Sequence, residues 1–272
     1  MEIDVNNFSL NKTLASGQTF VWKNTGDYWV SFVNKPVAIR QPSENKLEFY
    51  GASKDEIKKL LGLSDDITSI KAELDKDDFL DKAIEYSNGL RVVSDGLWPA
   101  TLSFILSIQS NIPLILKRIN NLSAAYGKPA KIINKEIHQF PTYIDILESG
   151  GEKLKQFKLG FRTKFVFSAA EYFSTHILSE KLELNQLKKH LLEIKGVGDK
   201  VLDCILLYGI HDLSAFPMDV WMLRVLSKHY GNLLGKAKSY RSKREVMTAY
   251  LGKYAGYAQL YIYNYSRLNK IK

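Results

Sequence analysis

Two glycines set between two apolar helices constrain this chain more than any other feature. In the segment Ile194-Lys-Gly-Val-Gly-Asp-Lys200, Gly196 and Gly198 let the backbone reverse within a few residues. They also let its amides approach another backbone or an anion closely. On the N-terminal side, Leu184, Leu187, Leu191, Leu192 and Ile194 recur at helical spacing. On the C-terminal side the apolar run Val201–Tyr208 stops at Gly209. The layout is helix, hairpin, helix, with Lys200 where the second helix begins. About one helix later comes Pro217-Met-Asp219, in which the proline favours the start of a helix and Asp219 falls in its first turn.

A chain of 272 residues, 45% hydrophobic and 25% charged, holds one large domain or two modest ones. A net charge of +9 suits a polyanionic partner, because lysines and arginines placed on phosphates displace condensed counterions. Charge alone leaves that partner open. The single cysteine, Cys204, excludes an internal disulfide and any Cys-ligated zinc or iron–sulfur site. The start Met1-Glu-Ile-Asp lacks the basic and apolar stretches of a secretory signal, and no apolar run reaches membrane-spanning length. The expectation is an intracellular monomer of the cytoplasm and nucleoid (the nucleus in a eukaryote), with no membrane contact.

Two periodicities divide the chain. Phe20–Trp22, Tyr28–Val33, Pro36–Ile39 and Lys46–Tyr50 are short β-type runs, separated by turn clusters at 24–27, 34–35 and 42–45. From Lys54 the period becomes helical and stays so. The acidic stretch from Asp65 to Asp81 reads as a solvated helical linker. The expected fold class is α+β: an N-terminal antiparallel β-sheet domain with its linker over residues 1–95, followed by an all-helical body over 96–272.

Lys200 has two readings. The positive end of a helix dipole and nearby Lys195 both disfavour a further positive charge there, and a neutral amine is a nucleophile. A lysine beside a glycine turn is equally a phosphate contact. Asp219 is either an ordinary helix cap or a carboxylate that serves the same site as Lys200, stabilising an oxocarbenium-like sugar while the lysine traps C1′ as an imine. Cys204 on an apolar helix reads as core or as a pocket wall. Gln259 and Tyr263, spaced i,i+4, share one helix face.

The order of these segments resembles a known family. Leu191-Leu-Glu-Ile-Lys-Gly-Val-Gly-Asp-Lys200-Val-Leu-Asp-Cys204, followed by Phe216-Pro-Met-Asp219, is similar to the helix-hairpin-helix–Gly/Pro–Asp signature of base-excision DNA glycosylases. Within that superfamily the chain most resembles 8-oxoguanine DNA glycosylases that carry an N-terminal sheet domain. Ser16-Gly17-Gln18-Thr-Phe20-Val-Trp22, Leu159-Gly-Phe161-Arg162-Thr-Lys-Phe165 and Tyr254-Ala-Gly-Tyr257-Ala-Gln259 carry that likeness along nearly the whole chain.

The resemblance implies a bifunctional glycosylase and abasic-site lyase acting on double-stranded DNA that contains 8-oxoguanine, with no cofactor. Lys200 then matches the Schiff-base nucleophile and Asp219 the carboxylate that assists base departure. The Gly17 carbonyl matches the acceptor for the N7 hydrogen that 8-oxoguanine has and guanine lacks. Gln259 matches the reader of the base's Watson–Crick edge, and Cys204 and Tyr263 match the two faces that sandwich the flipped base. Gly196 and Gly198 match the phosphate-gripping hairpin, whose carbonyls at Ile194 and Val197 would hold a structural cation. Gln109 and Asn111 stand in the run that fills the vacated space, Arg162 matches a cytosine-reading arginine, and Trp221 a DNA contact. Leu114 stands where better-known members carry a second such arginine, so a weaker preference for an opposite cytosine is expected. Phe161 is a candidate wedge. The alternatives are a glycosylase for alkylated purines and a non-catalytic helix-hairpin-helix DNA-binding protein.

Overall fold

The computed structural model describes residues 1–270. The N-terminal part is a five-stranded antiparallel sheet built from β1 (Glu2–Asp4), β2 (Trp22–Asn24), β3 (Trp29–Phe32), β4 (Pro36–Ser43) and β5 (Lys46–Tyr50), in the order β1-β5-β4-β3-β2. Between β1 and β2 lies a short helix, α1 (Leu10–Ala15), which the sequence reading did not anticipate; Ser9 caps it by accepting from the Lys12 amide. Side-chain alternation sets the sheet's two faces. Val37 and Ile39 on β4 and Leu47 and Phe49 on β5 enter the main core, whereas Val30 and Ala38 pack in a second cluster with Ile137.

Ile137 belongs to a correction. The body is not wholly helical: β6 (Pro129–Ile132) and β7 (Lys135–His138) form an antiparallel hairpin against the second face of the sheet. Its turn, Ile133-Asn134, has φ of 45° and 62°. A β-branched residue in that region is uncommon, so the turn left no cue in the sequence.

Helices make up the rest. Before the hairpin come α2 (Lys54–Leu60), α3 (Ile67–Glu73), α4 (Asp78–Tyr86), α5 (Leu97–Leu106) and α6 (Ile112–Tyr126). After it come α7 (Tyr143–Ser149), α8 (Gly151–Leu154), α9 (Arg162–Thr175), α10 (Leu184–Glu193) and α11 (Asp199–Ile210). The chain ends with α12 (Val220–His229), α13 (Gly231–Leu234), α14 (Tyr240–Leu251) and α15 (Ala255–Leu268). Helix α5 is buried along nearly its whole length and packs on both α9 and α11, so it forms the axis of the body.

The acidic stretch is not a solvated linker. Ile67, Ile70, Leu74, Leu80 and Ala83 on α3, α4 and the segment between them are buried, and α4 lies along α15. Its carboxylates are structural. Asp66 and Asp77 cap α3 and α4. Asp65 accepts from the Tyr257 hydroxyl and pairs with His211, and Asp77 accepts from Tyr230 and Tyr250. One buried cluster runs from Ile3 to Ile262, so sheet and helices share a core across residue 95. Among the described residues no helix is long and apolar enough to cross a membrane.

Candidate active site

The hairpin between α10 and α11 positions the lysine. Gly196 sits at φ +95°, and a Cβ there would lie 2.6 Å from Cγ of Phe165, so only glycine fits. Gly198 precedes α11 with open space where a Cβ would stand. The turn closes with the Val197 amide donating to the Ile194 carbonyl, 3.0 Å.

In the first turn of α11, half-buried Lys200 donates from Nζ to Ser107 Oγ (3.3 Å) and lies 5.4 Å from the centre of the Phe104 ring. Ser107 donates its own proton to the Phe104 carbonyl at 2.7 Å, which turns a hydroxyl lone pair toward the amine. The lysine is thus held over an apolar ring against neutral neighbours, the Ser107 hydroxyl and the Cys204 thiol.

One turn further along α11, Cys204 is 3% exposed. Burial pushes its thiol up to about 11; the Lys200 amine opposes that push, and the Asp203 and Asp219 carboxylates add to it. The group therefore stays a neutral thiol at physiological pH. Asp219 caps α12, accepting from the Met222 amide at 2.7 Å. Tyr263, on α15, has its phenol raised by burial first, then by Asp219 and Cys204, while Arg267 lowers it. The expected catalytic pair and the expected base-sandwiching pair therefore share one electrostatic neighbourhood. The Arg267 guanidinium lies 5.7 Å from the Tyr263 ring centre and 4.0 Å from where a Gly17 Cβ would stand. That brings the N-terminal Gly17 to the same wall. Gly17 has φ +91° and would place a Cβ 2.6 Å from Ile112 Cδ1.

Its loop is fixed from outside. Gln18 donates to the carbonyls of Thr13 and Arg91 and accepts from the Val93 amide, and the Thr19 hydroxyl donates to Asp95. Gln259 is 5% exposed and accepts at Oε1 from the Tyr208 hydroxyl at 2.8 Å.

The expected DNA face is partly rearranged. Gln109 is exposed at φ +47°, a left-handed conformation, and Asn111 caps α6 by accepting from the Leu114 amide. Leu114 and the candidate wedge Phe161 are each 43% exposed. Trp221 is half-buried on the first turn of α12. Arg162 is placed differently from these residues. It is 6% exposed, and its guanidinium donates to the carbonyls of Ile108, Gln109 and Leu159. The planar fork of donors matches the carbonyls of a strained turn, and with four of its five N–H groups on backbone carbonyls it clamps the loop.

Tyr208, Phe104, Ser107 and Arg267 were missed in the sequence. Tyr208 had a signal, since it lies four residues after Cys204 and eight after Lys200 on one face of α11. Arg267 lies four after Tyr263 in the same way. Among the described residues no three His, Cys, Asp or Glu side chains gather so as to hold a metal ion.

A sheet joined to a helical body, a glycine hairpin opening onto a lysine, and a carboxylate capping a later helix are the arrangement expected from the resemblance to helix-hairpin-helix DNA glycosylases. Comparison narrows the class. Residues 1–100 match the family model of the 8-oxoguanine DNA glycosylase N-terminal domain. A probable N-glycosylase/DNA lyase of Methanothermobacter thermautotrophicus is 26% identical over 303 residues, covering 98% of this chain and 96% of the relative. The 8-oxoguanine glycosylase/lyase of Clostridium acetobutylicum, solved with double-stranded DNA containing cytosine opposite 8-oxoguanine, superposes with a TM-score of 0.88 at 26% identity over 100% of this chain and 99% of that one. A protein called MBOgg1, solved with a low-affinity DNA ligand, gives 0.90 at 27% identity over 99% and 96%. Over nearly its whole length the chain is thus similar to 8-oxoguanine glycosylases, and its first hundred residues match that family's N-terminal domain.

Proposed function

We propose that this protein excises 8-oxoguanine from duplex DNA through an imine on Lys200 and then cleaves the abasic strand by β-elimination. The observation that carries this reading is the setting of Lys200: an amine on an apolar ring, bonded to the Ser107 hydroxyl, in the same neighbourhood as Cys204, Asp219 and Tyr263. A lysine that only gripped phosphate would need no such wall.

The flipped base enters between the Cys204 thiol and the Tyr263 ring. The Gly17 carbonyl accepts the N7 hydrogen, and guanine, which has a lone pair there, leaves that acceptor unsatisfied. Unprotonated Lys200 attacks C1′, and the bond to the base breaks with its electrons leaving on the base. Asp219 stabilises the positive charge that develops on the sugar. The sugar ring opens to an imine. Loss of a C2′ proton then sends electrons toward C3′, and the 3′ phosphate departs.

The hairpin amides at Gly196 and Gly198 hold a backbone phosphate, and the Ile194 and Val197 carbonyls hold a structural cation. Gln109, Asn111, Phe161 and Trp221 contact the distorted duplex. The protein works as an intracellular monomer, away from membranes.

The test is borohydride trapping on duplexes with 8-oxoguanine opposite each of the four bases, wild type beside Lys200→Gln. A covalent complex in wild type that the variant lacks supports the reading. Base release without trapping makes the enzyme monofunctional and Lys200 a phosphate contact. No release from any duplex overturns it in favour of a different lesion or a binding protein.

A further inference from the structure

Gln259 raises a problem that its position alone does not solve. A glutamine amide presents a donor and an acceptor side by side, and a 180° turn of its terminal torsion exchanges them. Along a purine edge, guanine offers an acceptor at position 6 and a donor at position 1, and adenine offers the reverse. A freely turning glutamine therefore pairs with either. The N7 contact does not help, because 8-oxoadenine carries the same N7 hydrogen and C8 oxygen as 8-oxoguanine. Some group must hold the amide one way round.

The structure supplies one such group. Tyr208 donates its phenolic hydrogen to Gln259 Oε1 at 2.8 Å, from a ring that is 5% exposed. The ring is fixed in turn, stacked on Phe104 with centroids 5.6 Å apart and planes 24° apart, and Phe104 itself meets Phe20 edge-on. Burial holds the phenol protonated, with Cys204, Tyr263 and Asp219 adding to the effect, so the hydroxyl remains a donor. The same neighbours place Tyr208 at the pocket wall. Gln259 Nε2 has no partner among the described residues, so the amide is tied by its oxygen and its nitrogen is left for the ligand. Turning the amide would make the Tyr208 oxygen an acceptor from Nε2 and leave the buried phenolic hydrogen without an acceptor among the described residues, which costs more than an unused lone pair.

We infer that Tyr208 is a specificity-determining positioning residue: by tying the Gln259 oxygen it fixes which purine edge the amide reads and sets 8-oxoguanine apart from 8-oxoadenine. This rests on the excision activity proposed above. Tyr208 touches no reacting atom in this account and acts through Gln259.

The experiment measures single-turnover excision of 8-oxoguanine and of 8-oxoadenine, each opposite cytosine, by wild type, Tyr208→Phe, Gln259→Ala and the double variant. Phenylalanine keeps the ring on Phe104 and removes only the hydroxyl, and thermal unfolding checks that each variant folds. The expected result is a wild-type preference for 8-oxoguanine that narrows about tenfold in Tyr208→Phe, as loss of one buried hydrogen bond implies. In the Gln259→Ala background the same change should leave the ratio where it stands. A Tyr208→Phe enzyme that slows on both bases by one common factor, or that narrows the ratio equally without Gln259, overturns the inference. Should Tyr208→Phe not fold, a Gln259→Ala enzyme that keeps the full wild-type ratio overturns it by itself. Absence of 8-oxoguanine excision by wild type would instead sink the proposed activity, a separate outcome.

Discussion

Asp95 is buried (6% exposed) beside the loop that carries Gly17, and among the described residues its side chain has one hydrogen-bond partner, the Thr19 hydroxyl at 3.0 Å. Burial raises its carboxyl from 3.8 to about 7, and Thr19 only partly offsets the rise. The direction fixes the pH dependence. In the unfolded chain the group loses its proton near pH 4; in the folded protein it keeps the proton until about pH 7. Between those values the folded state binds more protons, so stability falls as pH rises through this window and levels off above it. At about 1.4 kcal/mol per pH unit the full effect is about 4 kcal/mol, an upper bound because water and side chains adjust around a buried charge. Asparagine keeps an oxygen for Thr19 and has no charge to bury. Asp95→Asn should therefore match wild type near pH 4 and exceed it above pH 8, by up to that amount, in urea unfolding followed across the range. A gap that is constant with pH would refute the assignment. So would a wild type more stable than the variant at pH 8.5.

The two hairpin glycines should separate by assay: Gly196→Ala forces a left-handed residue against Phe165 and should cost about 2 kcal/mol in denaturant unfolding. Gly198→Ala, with open space at its Cβ, should unfold like wild type yet bind duplex DNA more weakly in a salt titration. Gly17→Ala should lower the melting temperature and slow 8-oxoguanine excision more than it weakens binding to an abasic duplex, since its Cβ meets Ile112 and displaces the carbonyl. Arg162→Lys should loosen residues 106–111, seen as faster amide exchange there, and cost about 2 kcal/mol through the carbonyls it leaves unpaired. Unchanged exchange would show that the clamp is not what holds Gln109 at its positive φ.

What was legible in the sequence, and what was not, follows from the range of the interactions. The alternation of Val37, Ala38 and Ile39 reports two faces of a strand, and the sheet followed from it; that the second face needed a cover did not, because the cover lies about a hundred residues away at Ile137. The helix pair around Gly196 is local, and its glycines announce themselves. The acidic stretch misled because its charges outnumber its apolar residues, yet Ile67, Ile70 and Leu74 recur at helical spacing and are buried, as is Leu80 on the next helix. Arg162 is hard to read for a different reason. A guanidinium serves a base edge and a set of backbone carbonyls with the same donors, and only the strained turn at Gln109 decides between them. The pocket shows the limit most sharply. Cys204, Tyr208 and Lys200 share a helix face that periodicity reveals, but on an apolar helix periodicity gives burial and no more. What makes Tyr208 functional is its bond to a glutamine 51 residues further on, and no local pattern encodes that pairing. A buried hydroxyl must nonetheless find a partner, and a buried glutamine has few ways to find two. The tyrosine and glutamine faces of α11 and α15 therefore constrain each other, and a tyrosine turned toward the pocket on α11 is itself a statement about how the base is read.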